Sequence, residues 1–182
     1  MATQRIVLNY RDYEALPADG RRYEIHDGEL SVAPAPSPRH QIISANLYDV
    51  LRAHVKARDL GLVLYSPIDV ILSDTAIVQP DIVFVDRARL GAISDRGVEG
   101  APTLVIEIVS PSTVLIDRRT KHGLYARHGV PYFWLVDPEG RSVEAWVLGP
   151  DGYSLALRAA GRDAHTLPPF PDLALVPASL WP

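Results

Sequence analysis

Glu107 sits in the run Leu104-Val105-Ile106-Glu107-Ile108-Val109, whose other members are all apolar. A short run of this kind reads as a central strand covered on both faces. A carboxylate there loses its hydration at a cost of several kcal/mol, so a cation, a metal or hydrogen bonds must replace the water. A second apolar strand, Ile82-Val83-Phe84-Val85, precedes it, with Asp81 at its head behind Pro80. A polar turn, Ser110-Pro111-Ser112-Thr113, follows and leads into a basic helix carrying Lys121. Two acids on neighbouring buried strands and a lysine on the next helix make a site with a charge logic. The simpler alternative is a buried salt bridge from Glu107 to Lys121 or an arginine, with no metal.

The 182 residues suit one domain spanning 1–182, long enough to bury roughly 70% of its unfolded surface. Cysteine is absent, which excludes disulfides, thiolate metal sites and thiol nucleophiles and fits a reducing cytoplasm. With no signal-peptide core and no apolar run near the ~20 residues of a membrane span, a soluble cytoplasmic protein without membrane contact is expected. The net charge of −4 argues against a dedicated high-affinity nucleic-acid binder. Residues 117–128 nonetheless hold Arg118, Arg119, Lys121, Arg127 and two histidines against one acid. That segment reads either as a solvated helix face or as a local phosphate-facing patch.

In chain order, residues 5–8 read as a short strand and 10–16 as a helical turn. An N-terminal hairpin follows, 22–25 and 29–32 about the turn signal Asp27-Gly28. The proline-rich stretch 33–38 is a stiff crossing. A helix over 38–58 has Ile43, Leu47, Val50, Leu51 and Val55 at helical spacing, with Gly61 as its stop. Strands are expected over 62–65, 68–72 and 77–85, then a polar loop over 86–100 with one helical turn at 88–90. After the Glu107 strand come a helix over 117–128, strands over 132–136 and 142–148, and a hairpin partner over 153–159. A proline-rich apolar tail packs back on the sheet. The fold class is mixed α/β, with helices flanking one sheet.

Asp81 and Glu107 are hard oxygen ligands of the kind that magnesium or manganese takes. Zinc is unsuited, since thiols and a His-Glu-x-x-His pairing are missing. Carboxylates holding a divalent ion beside a lysine suit phosphodiester hydrolysis. The ion polarises the phosphate and acidifies a bound water; the lysine orients that water or neutralises developing charge.

At these residues the chain resembles a known group. Pro80-Asp81 followed about 25 residues later by an acid in an apolar strand is similar to the PD-(D/E)XK nuclease superfamily. Several stretches more narrowly resemble a large, mostly uncharacterised bacterial family of restriction-endonuclease-like proteins. They are Tyr23-Glu24-Ile25-His26-Asp27-Gly28-Glu29, Ser66-Pro67-Ile68-Asp69-Val70, Gln79-Pro80-Asp81, Glu107 to Thr113 and Tyr132-Phe133-Trp134-Leu135-Val136-Asp137. The resemblance spans roughly residues 10–150 and lies in the order and spacing of motifs that are individually weak. It implies a restriction-endonuclease-like fold, a magnesium site and cleavage of nucleic acid, with DNA the first expectation over RNA. Asp81 and Glu107 would be the metal ligands and the carbonyl of Ile108 a third. The superfamily and the apolar tail together suggest a homodimer.

One departure matters. The superfamily's lysine lies two residues beyond the acid, where this chain has Val109. Lys121 is the candidate replacement by depth, roughly 6 Å along its helix against roughly 7–10 Å for Glu107 along its strand. Tyr125, one turn on, shares that face. Pairing of Lys121 with Asp117 is the structural alternative. Glu24, in a motif but equally a cross-strand partner, and His40, near the start of the long helix, are candidates for the site edge. Asp69 is placed behind the site, and Trp134 and Trp146 in the core. The rival reading is a catalytically silent DNA-binding or protein-interaction module on the same fold. Divalent-ion binding separates the two.

Overall fold

The computed structural model describes residues 6–110 and 116–182, and for 116–118 the backbone alone. The turn after Ser110 and the side chains of Asp117 and Arg118 therefore lie outside the described residues.

Helix α1 (Tyr10–Glu14) opens with a capping box: the Asn9 side chain accepts from the amides of Arg11 and Asp12, and Asp12 accepts from the Asn9 amide. Residues 6–8, expected as a strand, are not one, although the Leu8 amide donates to the Gly28 carbonyl. Strands β1 (Arg22–His26) and β2 (Glu29–Ala33) form the hairpin. Its two turn residues both have positive φ, 50° at Asp27 and 83° at Gly28, as the twist of a two-residue hairpin demands.

Helix α2 (Pro38–Ala57) begins at Ser37, whose hydroxyl accepts from the His40 amide, with proline at its first position. It buries Ile43, Leu47, Leu51, His54 and Val55. Gly61 does not stop it. The chain turns at Asp59, with φ 51°, and Gly61 opens β3 (Gly61–Tyr65). A Cβ at Gly61 would lie 2.1 Å from the Val85 carbonyl, so close backbone approach explains the glycine.

Next come β4 (Val70–Ser73), β5 (Ala76–Val78) and β6 (Ile82–Asp86). The expected single strand over 77–85 is two strands in two different sheets, because Pro80 has no amide to continue a ladder. The chain crosses between sheets at Gln79-Pro80-Asp81, and Asp81 stands at the crossing. The loop expected over 86–100 holds a 3₁₀ turn (Arg87–Ala92) and two short strands, β7 (Ile93–Ser94) and β8 (Gly97–Glu99). Strand β9 (Leu104–Ile108) is buried throughout. A π-helical turn (Ile116–Lys121) leads into α3 (His122–Arg127). Strands β10 (Tyr132–Asp137), β11 (Ser142–Gly149) and β12 (Gly152–Ala160) follow, then a small ribbon of β13 (His165–Thr166) and β14 (Ala174–Leu175).

Two mixed six-stranded sheets result, where sequence suggested one. The first runs β2-β1-β5-β4-β8-β7 and the second β12-β11-β10-β9-β6-β3. Helix α2 and the C-terminal tail cover one face of the second sheet. There Ile43, Leu47 and Leu51 meet Ile82, Ile106 and Ile108, and the tail adds Phe170 and Leu180. Helix α3 and part of the first sheet cover the other face, where Leu124 and Tyr125 meet Val105, Val109 and Phe133 alongside Val70 and Val78. Trp134 is fully buried, whereas Trp146 is only partly so. The tail thus fills its own chain's core.

Candidate active site

Strands β6 and β9 pair antiparallel, with Ile82 opposite Ile106. That register brings Asp81 beside the end of β9, where the Ile108 amide donates to Asp81 Oδ2 at 2.8 Å. From α2, His40 Nε2 lies 3.1 Å from the same oxygen and 3.1 Å from the Ile108 carbonyl. Both neighbours are acceptors, so Nε2 carries the hydrogen. From β1, an Arg22 guanidinium nitrogen lies 3.4 Å from Asp81 Oδ1, and another donates to the Gln79 carbonyl. Burial pushes the Asp81 carboxyl up, but His40, Arg22 and the Ile108 amide outweigh it and hold it below the carboxylate range. Burial lowers His40 in turn, and Asp81 more than reverses this, leaving its pKa above the ordinary imidazole value.

The same register, carried one residue on, sets Glu107 across from Asp81. Alternation along β9 gives it the same face as Val105 and Val109, toward α3. Lys121 Nζ donates to Glu107 Oε1 at 3.1 Å, and Tyr125 Oη donates to the same oxygen at 2.6 Å. Lys121 is the last residue of the π-helical turn that leads into α3. Position 109 is filled by a buried valine whose amide donates to the Val136 carbonyl. Lys121 also donates to Glu24 Oε1 at 2.9 Å. Glu24 further accepts from the Gln79 amide at 2.7 Å and, at Oε2, from His26 Nε2 at 3.0 Å. Burial raises the Glu24 pKa, but the Lys121 charge and the bonds from His26 and Lys121 bring it down to about 2.

Every candidate taken from the sequence is therefore in one cluster: Glu24, His40, Asp81, Glu107, Ile108, Lys121 and Tyr125. Tyr125 is fully buried and acts on Glu107. Asp69 stands two steps back: it accepts from Gln79 Nε2 and Tyr13 Oη, both at 2.8 Å, while the Gln79 amide holds Glu24. Sequence reasoning missed Arg22, His26 and Gln79. The signal for the first two was available, because Arg22, Glu24 and His26 alternate along β1 and so share a face. Among the described side chains of the basic segment, Arg119 is exposed. Lys121 is buried in the acid cluster, Arg127 pairs with Asp27 of the hairpin turn, and His122 packs among Phe133, Trp146 and Tyr153.

Among the described residues, three carboxylates (Glu24, Asp81, Glu107) meet two cations, Arg22 and Lys121, with His40 beside Asp81. The donor chemistry, carboxylates with the Ile108 carbonyl, fits magnesium or manganese. Among the described residues, no group of three or more histidines and acids stands arranged as a ready cage. Arg22 and His40 already occupy the Asp81 carboxylate. The cluster opens to the surface through a cleft of about 870 Å³ between α2 and the end of β3, whose lining includes Arg22, His40, Gln79 and Asp81. Glu107 and Lys121, 3% and 5% exposed, lie behind that lining.

A family model described as "Uma2: Putative restriction endonuclease" matches residues 10–178. No curated protein matches. Among solved structures, the chain is similar to a crystal structure described as a putative nuclease belonging to DUF820 from Anabaena variabilis ATCC 29413. The two share 20% identity at a TM-score of 0.78, over 95% of this chain and 97% of that one. At that identity the likeness shows the fold.

Proposed function

Because the chain belongs to the Uma2 family of restriction-endonuclease-like proteins, we propose that its buried acid–lysine cluster hydrolyses phosphodiester bonds of DNA as a cytoplasmic, metal-dependent endonuclease. The observation that carries this reading is the Lys121 ammonium 3.1 Å from Glu107, which supplies from a helix the cation that position 109 lacks. Asp81, Glu107 and the Ile108 carbonyl would hold the magnesium or manganese. Once bound, the ion would polarise the phosphate and acidify a water. Lys121 stabilises negative charge developing on the phosphate, and Glu24 holds Lys121 in place. Tyr125 fixes the Glu107 rotamer through its hydroxyl. His40, at the cleft, keeps a proton beside Asp81.

A homodimer belongs to the same proposal. A melting temperature that rises with protein concentration is the expected sign. Among the described residues, no helix is long and apolar enough to cross a membrane.

The silent-module reading has one observation in its favour, the internal cations already paired with both acids. The experiment that separates them uses manganese and DNA. Manganese should raise the melting temperature of the wild type, and Glu107→Ala should remove that increment. Lys121→Ala should cut DNA cleavage by roughly two or more orders of magnitude yet keep the manganese shift. Equal shifts in the wild type and an Asp81→Ala/Glu107→Ala double variant would reject the metal site. Cleavage at the wild-type rate by Lys121→Ala would make the lysine structural.

A further inference from the structure

The cleft beside Asp81 holds more than a phosphate needs. One wall is a stripe of α2 that includes His40, Ser44, Tyr48 and Arg52, recurring at helical spacing beside the stripe that α2 buries. The opposite wall is the end of β3, where Tyr65 is 58% exposed. The Tyr48 and Tyr65 rings meet edge to face, 4.7 Å between centroids at 63°. Tyr65 is tied to the reactive end through the next residue: the Ser66 amide donates to the Asp81 carbonyl at 3.0 Å. Arg21, Arg22 and Arg52 line the cleft against Asp49 and Asp81, three cations against two acids. From His40 to Arg52 is about 18 Å along the helix.

We infer that this cleft is a single-strand track, in which Tyr65, braced by Tyr48, stacks a nucleobase while Arg21, Arg22 and Arg52 take backbone phosphates. An exposed ring beside cations is the combination that binds unpaired nucleic acid, since every base offers a π-face and every link a charge. About 870 Å³ is the scale of small-ligand pockets, which suits an unpaired base with its phosphates. A strand seated on Tyr65 would run directly past Asp81. The inference rests on the nuclease reading of that acid cluster and names its substrate as an unpaired strand.

The test measures binding by fluorescence anisotropy in EDTA, so that no strand is cut. The probes are a labelled decathymidine, a decauridine and a duplex. The single strands should bind more tightly than the duplex, with log K against log salt sloping about −2 for three phosphate contacts. Tyr65→Ala should weaken single-strand binding roughly 5- to 100-fold, the loss of one stacked base, and Tyr65→Trp should restore it. Arg52→Gln should reduce the salt slope by about 0.7. Equal affinity for the duplex, or Tyr65→Ala within about twofold of the wild type while Arg52→Gln is also silent, would overturn the track. Cleavage assays run in parallel with magnesium keep the two readings apart. Strand binding without any cleavage rejects the nuclease and keeps the track; cleavage with a duplex preference does the reverse.

Discussion

Glu24→Gln isolates the charge that holds Lys121 in place. The substitution keeps shape and an oxygen able to accept from the Gln79 amide and Lys121, and removes the negative charge together with the oxygen that faces His26. The folded Glu24 pKa lies at about 2 against the usual 4.5. At about 1.4 kcal/mol per unit this is about 3 kcal/mol of stability at pH 7. The folded value is depressed, so this contribution is fully present above pH 4.5 and is lost as pH falls toward about 2. Urea unfolding at pH 7 should show Glu24→Gln less stable by about 3 kcal/mol, and melting should fall by about 6–12 °C for a chain of this size. Repeated at pH 5, 4 and 3, the gap should narrow steadily, because the wild type loses what the variant never had. Asp81 titrates in both proteins and drops out of the difference. A gap that stays constant across this range, or is missing at pH 7, would refute the electrostatic role given to Glu24.

Two further outcomes follow from the same geometry. Arg22 occupies the Asp81 carboxylate and has a buried Nε without a hydrogen-bond partner, so Arg22→Gln should tighten manganese binding in calorimetry; weaker binding would mean that the arginine organises the site and does not compete for it. Val109→Lys places a second ammonium against Leu124 and Tyr125 and should destabilise by several kcal/mol, but less so in a Lys121→Ala background, where Glu24 and Glu107 lack their cation. Additive losses in that double-mutant cycle would show that positions 109 and 121 do not share a site.

What the sequence determined by itself is what local physics controls. An acid in an apolar strand must find a cation wherever that strand ends up, so Glu107 was legible from the cost of its burial alone. Asp27-Gly28 requires positive φ at two successive residues and thereby specifies the hairpin. The apolar spacing of α2 gave the helix to within one residue of its observed end, although Gly61 is not its stop. Lys121 was reachable because rise per residue sets depth along any helix or strand.

Tertiary structure decided the rest. Whether residues 77–85 form one strand or two depended on which sheet each half joins, and two sheets exist only because β5 finds β1 and β4 while β6 finds β9 and β3. The partners in the site are separated by 97 residues for Lys121 and Glu24 and by 59 for Arg22 and Asp81. Nothing in a local window encodes such pairings, because closing a long loop is compensated only by the whole core. For the same reason the apolar tail, which read as surface for a partner, is spent on its own chain: Leu180 and Phe170 are buried beside α2 and the second sheet, where hydrophobic burial is non-directional and takes the nearest uncovered face.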